Sequence, residues 1–524
     1  MHPRLPWLCC ILAVLLATGR ADAAVRYVNV GNPTPAPPYT NWASAAAVIQ
    51  EAVNVADAGD EVLVTNGVYQ TGGLAVAGFL TNRVAVTKPL VLRSVNGPEV
   101  TIIQGYQIPG VTNGDGAIRC VYLTNRASLV GFKLRGGATR TAGELVREQS
   151  GGGLLAESVL AMVTNCQFVG NAATRGGGAR SGTFSQCIFT NNLSMTDGGG
   201  TYNSVLRSCR LTGNSALTGG GAYGGQLTDC MVSDNAAGDG GGMYGSTVSR
   251  SRLVRNTARN SSGGAFAGAI DNSVLLGNSA SGVGGGQCFS TMNYCTVAMN
   301  SASVGGGTYF GSMNNCIAYF NLASGGGENY SGTAINYSCT TPMPPGEGNF
   351  TNAPLFLDVE ENPQLQPGSP CINAGKDPPP DVLDLAGLSR VVGGTADVGA
   401  YEFQSPATPI SYLWLQQNGF MVDGTADQLD PDGDGASNWA EWRAGTLPRD
   451  PASVLRLFPI TVGAEGASLR WTSLGTRTYF VERGTNGGAF QAWRSNIPGL
   501  LGTTSITDGD AHPGDAVLYR VGVQ

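Results

Sequence analysis

Residues 301–311 read SASVGGGTYFG. Three glycines in a row ordinarily mark a turn or a flexible joint, because glycine enters the left-handed region at no steric cost. The phrase recurs, however: TDGGGTYNS begins at Thr196, LTGGGAYGG at Leu217 and GDGGGMYGS at Gly238. A joint has no reason to return at a fixed interval with an aromatic residue behind it, whereas a repeated structural unit does.

Counting outward from Cys166 gives the interval. Cys187, Cys209, Cys230, Ser251, Ser273, Cys295 and Cys316 follow, each 21 or 22 residues after the last. Five residues beyond each stands an asparagine: Asn171, Asn192, Asn214, Asn235, Asn256, Asn278, Asn300 and Asn321. Two residues beyond each is an apolar column from Phe168 to Ala318, and three residues before each is another from Val163 to Met313. The second residue after the glycines gives Arg180, Tyr202, Tyr223, Tyr244, Phe266, Cys288 and Tyr309.

A period of about 20–25 residues is the mark of a solenoid. Alternating small and apolar residues among glycines suit short strands, and the Leu-x-x-Leu-x-Leu frame of leucine-rich repeats is missing. The remaining solution is a parallel β-helix with one period per coil. Coils then pair at about 4.8 Å, so every column becomes a ladder. The asparagines are expected to bond from coil to coil inside a turn, the tyrosines to stack ring on ring, and the glycine triplet to form a corner.

The repeats resemble those of the polymorphic outer-membrane proteins of chlamydiae: FVGN (168–171) and FTNN (189–192) match the Phe-x-x-Asn motif, and GGAF (263–266) resembles Gly-Gly-Ala-x. Those proteins are surface adhesins. Upstream, NWASAAAVIQEAVNVADAGDEVLV (41–64) predicts a helix with Ile49, Ala52, Val53 and Ala56 on one face, then a strand. A helix there covers the open end of the solenoid. It resembles the N-terminal caps of right-handed β-helix proteins of the pectin-lyase-like superfamily. SPCINAGKD (369–377) and LAGLSRVVGGTADVGAYEF (385–403) resemble the choice-of-anchor Q domain of bacterial surface proteins, which implies that this stretch closes the β-helix. From Ala452, SVLRLFPI, ASLRWTS, RTYFVERG and AVLYRVGV read as strands of a small β-sandwich.

The expected class is therefore all-β: a right-handed parallel β-helix solenoid, a calcium-loop linker and a small C-terminal β-sandwich. The corresponding segments are 24–404, 405–451 and 452–524. Ahead of them, residues 1–23 read as a secretory signal, with WLCCILAVLLA as apolar core and ADA at 21–23 as cleavage site. A membrane anchor would need about 20 apolar residues, and no second apolar span follows. The mature chain is thus expected to be secreted or displayed at the cell surface, with no transmembrane span. A net charge of -7 and a pI near 5.0 argue against a nucleic-acid partner.

Two of the 12 cysteines fall in the signal, and most others in the inward ladder. An oxidising compartment favours disulfides, but side chains stacked in parallel do not readily reach the disulfide dihedral. The alternative is that these cysteines pack as small apolar residues. No Cys/His zinc spacing occurs.

Relatives of this fold cleave polysaccharides. The mature chain has one histidine, His512, outside the solenoid, and the Gly-His-Gly and Asp-Asp motifs of polygalacturonase-like hydrolases are absent. Pectate-lyase-like enzymes use carboxylates for calcium and an arginine as base. One cluster imitates that pattern: Asp229 shares a column with Arg250, Asp234 with Arg255, and Arg210 with Arg252. Either these residues form a ligand-binding face or they are surface ion pairs on adjacent coils. Asp197 and Asp239, ahead of glycine triplets, read as turn residues.

DPDGDGASNWAE (430–441) meets the twelve-residue EF-hand loop pattern. Asp430, Asp432 and Asp434 take positions 1, 3 and 5, Gly435 the sharp turn, Ala436 the carbonyl at 7, Asn438 position 9 and Glu441 the bidentate position 12. The loop resembles dockerin-type and thrombospondin type 3 calcium loops, which implies a structural Ca2+, with a helix only after the loop. The other possibility is an acidic turn without metal. Two functions stay open: a non-catalytic binding or structural module, adhesin-like or glycan-interacting, or a polysaccharide lyase or glycoside hydrolase acting on acidic polysaccharide. Extracellular polysaccharide or cell-surface components are the partners expected.

Overall fold

The computed structural model describes residues 23–485, 488–512 and 514–524. The signal segment expected over 1–23 lies outside them except for Ala23. No helix among the described residues is long and apolar enough to cross a membrane.

The repeat winds into a parallel β-solenoid. Twelve strands stack in one parallel sheet, from Gly67–Tyr69 to Cys339–Thr340. Both apolar columns are in register: Val163 lies beside Phe184, then Leu206, Leu227 and Val248, while Phe168 lies beside Phe189, then Leu211, Val232 and Leu253. All ten are buried and form one continuous core. Helix α1 (Ile49–Val55) buries Ile49, Ala52 and Val53 against the first coils. Gln50 holds the backbone of Ala85 on both sides, accepting its N–H at 2.6 Å and donating to its carbonyl at 3.2 Å. The helix thus satisfies strand edge groups as well as covering apolar surface.

The asparagines form the expected ladder. Each Nδ2 donates to the Oδ1 of the next asparagine at 2.9–3.0 Å from Asn171 to Asn321. Asn329 ends the run by accepting from Asn321. The cysteine column is buried, but it is more than apolar packing. The amide of Cys187 donates to Cys209 Sγ at 3.4 Å, that of Cys230 to Ser251 Oγ at 2.9 Å, that of Ser251 to Ser273 Oγ at 3.1 Å, and that of Cys316 to Ser338 Oγ at 3.0 Å. Each Sγ or Oγ donates in turn to the carbonyl two residues earlier in its own coil, as Cys209 does to Arg207 and Ser251 to Ser249. The column packs in the core as expected, and hydrogen bonding adds a second demand: the position takes a small side chain that both donates and accepts, which is why Cys and Ser share it.

The glycine triplet is one of four corners, and only its first residue turns left-handed. One coil bends at Gly219, Gly224, Asp229 and Asp234, with φ of +64, +62, +55 and +57°. The second and third glycines answer a lack of space instead. A Cβ on Gly220 would stand 2.4 Å from the Gly241 carbonyl oxygen, and one on Gly221 2.5 Å from that of Gly242.

The segment after the last solenoid strand folds back onto the solenoid. Asn349 and Phe350 continue the last coil, with Asn349 accepting from the Ser338 amide and Phe350 bridging Cys339. Residues 356–404 then run back over the outer face of the twelve-stranded sheet. Ala400, Leu385 and Tyr401 pack on Val254, Val274, Leu276 and Ala298, and Thr296 Oγ1 accepts the Ala400 amide at 3.0 Å. Little regular structure holds this segment, so buried charges knit it together. Asp384, Asp397 and Glu402 each accept two backbone N–H groups. Buried Arg390 donates to the Asp397 and Gly399 carbonyls and lies 4.5 Å from the Tyr294 ring centroid. Burial pushes the Asp397 carboxyl up to about 7 and that of Glu402 up to about 9, against the pull of Arg390.

Helix α2 (Tyr412–Gln417) adds Tyr412 to the cluster around Ile317, Phe350 and Cys371. Helix α3 (Asn438–Ala444) starts at the N-cap Ser437 and stops at Gly445. The C-terminal strands form two three-stranded antiparallel sheets. Trp471 and Leu469 of one sheet and Tyr479 and Val481 of the other share a buried cluster.

Candidate functional site

Four of the six residues singled out on the solenoid sit at left-handed corners: Asp229, Asp234, Arg250 and Arg255. A side chain at such a bend points away from the core, so charge is tolerated there. Arg250 clasps Asp229 with Nε and Nη2 at 2.9 and 3.0 Å, and Arg255 clasps Asp234 at 2.9 and 3.2 Å. Each carboxylate raises its arginine above the usual value by accepting these hydrogen bonds. Both pairs are solvent-exposed and join neighbouring coils, an arrangement that contributes about 0–1 kcal/mol per pair.

The remaining two arginines lie on the strands between those corners. Arg252 is held by the closing segment: Nη1 donates to Tyr401 Oη at 2.9 Å and Nη2 to the Glu361 carbonyl at 3.0 Å. Arg210, two coils away in the same column, is exposed and has no side-chain partner among the described residues. A cleft of about 230 Å³ gathers Arg210, Arg252 and Arg255 opposite Glu360 and Glu361 of the closing segment. The Asp229–Arg250 pair stands at the other corner, so the six residues do not converge on one point.

A larger feature lies on the third face, past the asparagine corner. Strands Ala236–Asp239, Thr257–Ser261, Ser279–Ala280, Ser301–Ala302 and Leu322–Ala323 form its parallel sheet, continued to Leu193 through bridges at Ser215. An open groove of about 840 Å³ runs along the coils from Leu193 to Ser281. At each coil it is lined by small residues: Ser194, then Ser215 and Ala216, Ala236 and Ala237, Thr257 and Ala258, Ser279 and Ala280. Leu193, Met195 and Leu217 are exposed along it, and Arg259 and Asn260 supply its polar groups. Asp197 and Asp239 sit at the margin of this face as turn residues, Asp197 paired with Arg175 at 3.0 Å and Asp239 accepting the Ser261 amide. The groove went unread in the sequence. Its signal was the pair of small residues one and two places beyond the ladder asparagines from Asn214 to Asn278.

The aromatic column stacks as expected from Tyr202 through Tyr223 and Tyr244 to Phe266, with centroids 4.7–5.2 Å apart and planes within 5°. Arg175 and Arg180 lie over Tyr202 at its start. The rings face one another rather than solvent, so the stack is chiefly structural.

The acidic loop brings the carboxylates of Asp430, Asp432 and Asp434 within 4.8 Å of one another. Asp430 accepts the amides of Gly433 and Gly435, and Asp434 accepts that of Ala436, which wraps the chain around the cluster. Asn438 and Glu441, both on α3, are fully buried beneath it. Asp432 Oδ2, Asp434 Oδ2, Asn438 Oδ1 and Glu441 Oε2 are buried oxygens with no hydrogen-bond partner. Burial, and then Asp432 and Asp434, push Glu441 up to about 7. An all-oxygen donor set with this many unpartnered acceptors fits a hard divalent cation.

No protein-family model matches this chain, and no curated protein does. Among solved structures, pectate lyase Pel9A is similar at 12% identity and a TM-score of 0.39, over 74% of this chain and 98% of its own. XylC in complex with xylose is similar at 9% identity and a TM-score of 0.36, over 73% and 99%. A rhamnogalacturonan lyase is similar at 12% identity and a TM-score of 0.32, over 65% and 92%. The solenoid itself is established by the parallel strand register.

Proposed function

We propose that this chain is an extracellular β-solenoid that binds a linear polysaccharide without cleaving it, and that a calcium ion in the 430–441 loop stiffens the joint to the C-terminal sheets. The observation that carries the binding function is the groove of about 840 Å³ on the third face. It repeats a small-residue lining from coil to coil, with a hydroxyl at each coil except that of Ala236 and Ala237, so an extended polymer parallel to the axis meets similar contacts along its length. Arg255 stands at the bend between this groove and the basic cleft, where an acidic sugar would find Arg210 as well. Asp229 and Asp234 are each engaged by an arginine, which favours binding over acid–base chemistry at these two carboxylates.

The calcium site would use Asp430, Asp432, Asp434, the Ala436 carbonyl, Asn438 and Glu441. Its cation would neutralise carboxylates that otherwise repel one another.

The test is a panel of neutral and acidic polysaccharides assayed together for retention and for new reducing or unsaturated ends. Binding without new ends, abolished by Ala236→Trp on the exposed lining of the groove, is the expected result. New ends overturn the non-catalytic function, and retention unaffected by Ala236→Trp overturns the groove. Arg210→Ala with Arg255→Ala should weaken retention of acidic polymers alone, and added salt should do the same.

A further inference from the structure

Four described cysteines lie outside the ladder, Cys120, Cys288, Cys339 and Cys371, and the last two share one cluster at the end of the solenoid. Cys339 lies on the last strand of the twelve-stranded sheet, one place beyond the ladder position held by Ser338. Cys371 lies in the closing segment, in the turn that Ser369 begins. Both are fully buried in the cluster that joins Phe350 of the last coil to Phe356, Leu365 and Ile372 of the closing segment. The two side chains neighbour each other in this cluster, and with both thiols free Cys339 Sγ donates to the Asn352 carbonyl at 3.1 Å. They arrive from different directions, one from a solenoid strand and the other from an irregular turn packed on its outer face. The parallel stacking that holds ladder thiols away from the disulfide dihedral is therefore absent.

We propose that Cys339 and Cys371 form a disulfide that locks the closing segment onto the end of the solenoid. In this reaction two cysteine S–H bonds and the S–S bond of a disulfide oxidant such as oxidised glutathione are broken. One protein S–S bond forms, the protein loses two electrons, and the oxidant leaves as two thiols carrying the protons. Burial holds the Cys371 thiol well above its usual range, so the reaction belongs to the stage before the segment closes, when both sulfurs are open to solvent. The proposal draws on the expected export only for its setting, because refolding with glutathione tests it in any compartment.

The full chain is refolded in a reduced and oxidised glutathione buffer, alkylated under denaturing, non-reducing conditions, and mapped by mass spectrometry. The expected product is one linked peptide pair joining residues 339 and 371, with every other cysteine of the mature chain alkylated. Dithiothreitol should then lower the thermal midpoint by several degrees, as loss of a link closing about 30 residues does. It should leave Cys339→Ser, whose midpoint already lies at the reduced value, unmoved. Full alkylation of both cysteines in the refolded monomer, or a link between two ladder cysteines instead, overturns the proposal. Sugar retention that persists or fails in either case bears on the groove alone.

Discussion

The asparagine ladder can be challenged with one proton. Asn235 Oδ1 accepts both the amide and the Nδ2 of Asn214, each at 2.9 Å. Its Nδ2 donates to the Leu211 carbonyl and to Asn256 Oδ1, each at 2.9 Å, and the residue is fully buried. Asn235→Asp keeps the acceptor but turns the double donor into a second acceptor that faces two oxygens. The ionised form is then unpaired in a dry interior, while the protonated form regains one donation. Its folded-state pKa must rise well above the unfolded value, and buried carboxyls rise by up to about 3–5 units. At about 1.4 kcal/mol per unit, and counting only the part of the shift that lies below pH 7, the cost at pH 7 is roughly 4 kcal/mol. The folded state binds more protons than the unfolded one, so the cost shrinks by about 1.4 kcal/mol per pH unit as pH falls towards 4. Asparagine does not titrate, so the difference between variant and wild type isolates the effect. The assay is urea unfolding of the full chain, followed by far-ultraviolet circular dichroism from pH 4 to 8. Asn235→Leu is the control. It strands the Asn214 amide and should cost about 2–5 kcal/mol at every pH. A cost for Asn235→Asp that is independent of pH, or below about 1 kcal/mol at pH 7, would refute a buried, continuous ladder.

The cysteine column predicts a reversal of ordinary substitution logic. Cys209→Ser should stay within about 1 kcal/mol of wild type in urea unfolding, whereas Cys209→Ala, which orphans the Cys187 amide, should cost about 1–3 kcal/mol. Equal costs would return the column to plain packing. Gly221→Ala forces a Cβ to 2.5 Å from the Gly242 carbonyl oxygen and should lower the unfolding midpoint more than Gly170→Ala, whose Cβ meets nothing within 4 Å. Arg252→Ala removes the ties to Tyr401 and Glu361 and should speed proteolysis within 356–404 while leaving retention in the third-face groove intact. Calorimetric titration of the chelated chain should show one calcium site, lost in both Asp432→Ala and Glu441→Ala. Absence of heat at millimolar calcium would remove the ion from the joint.

The core was legible because a solenoid writes one coil's environment many times. A column of Phe168, Phe189, Leu211 and Val232 at constant spacing can only be one inward line. The asparagine column was equally plain, since a polar residue kept inside by every coil must satisfy its neighbours. What one coil does not repeat was harder to see. The hydrogen-bonding role of Cys166 to Cys316 hid behind the apolar character of cysteine, although Ser251 and Ser273 in the same column pointed to it. The acidic loop was legible from spacing alone. The burial of Asn438 and Glu441 under it needed the packing of α3.

The covering of one face was also written in the sequence, in a column offset by one place from the inward ladder. One place beyond the ladder cysteine or serine stand Gln167, Ile188, Arg210, Met231 and Arg252, then Val274, Thr296 and Ile317. The change from mixed and charged to apolar and small falls where the closing segment begins to lie on the sheet, and Val274, Thr296 and Ile317 are all buried. An outward residue in a solenoid has no core to enter, so burial there requires a second layer of chain. Arg252, the last charge before the change, is the residue that ties down the layer's margin through Tyr401 and Glu361. That layer takes the later coils of this face out of use for an extended ligand. The matching outward column on the third face runs Leu193, Ser215, Ala236, Thr257 and Ser279, small from Ser215 onward. The uncovered groove and the covered sheet are thus two outcomes of one rule, and placing a long polymer on the twelve-stranded sheet would require displacing the segment held by Arg252 and Arg390.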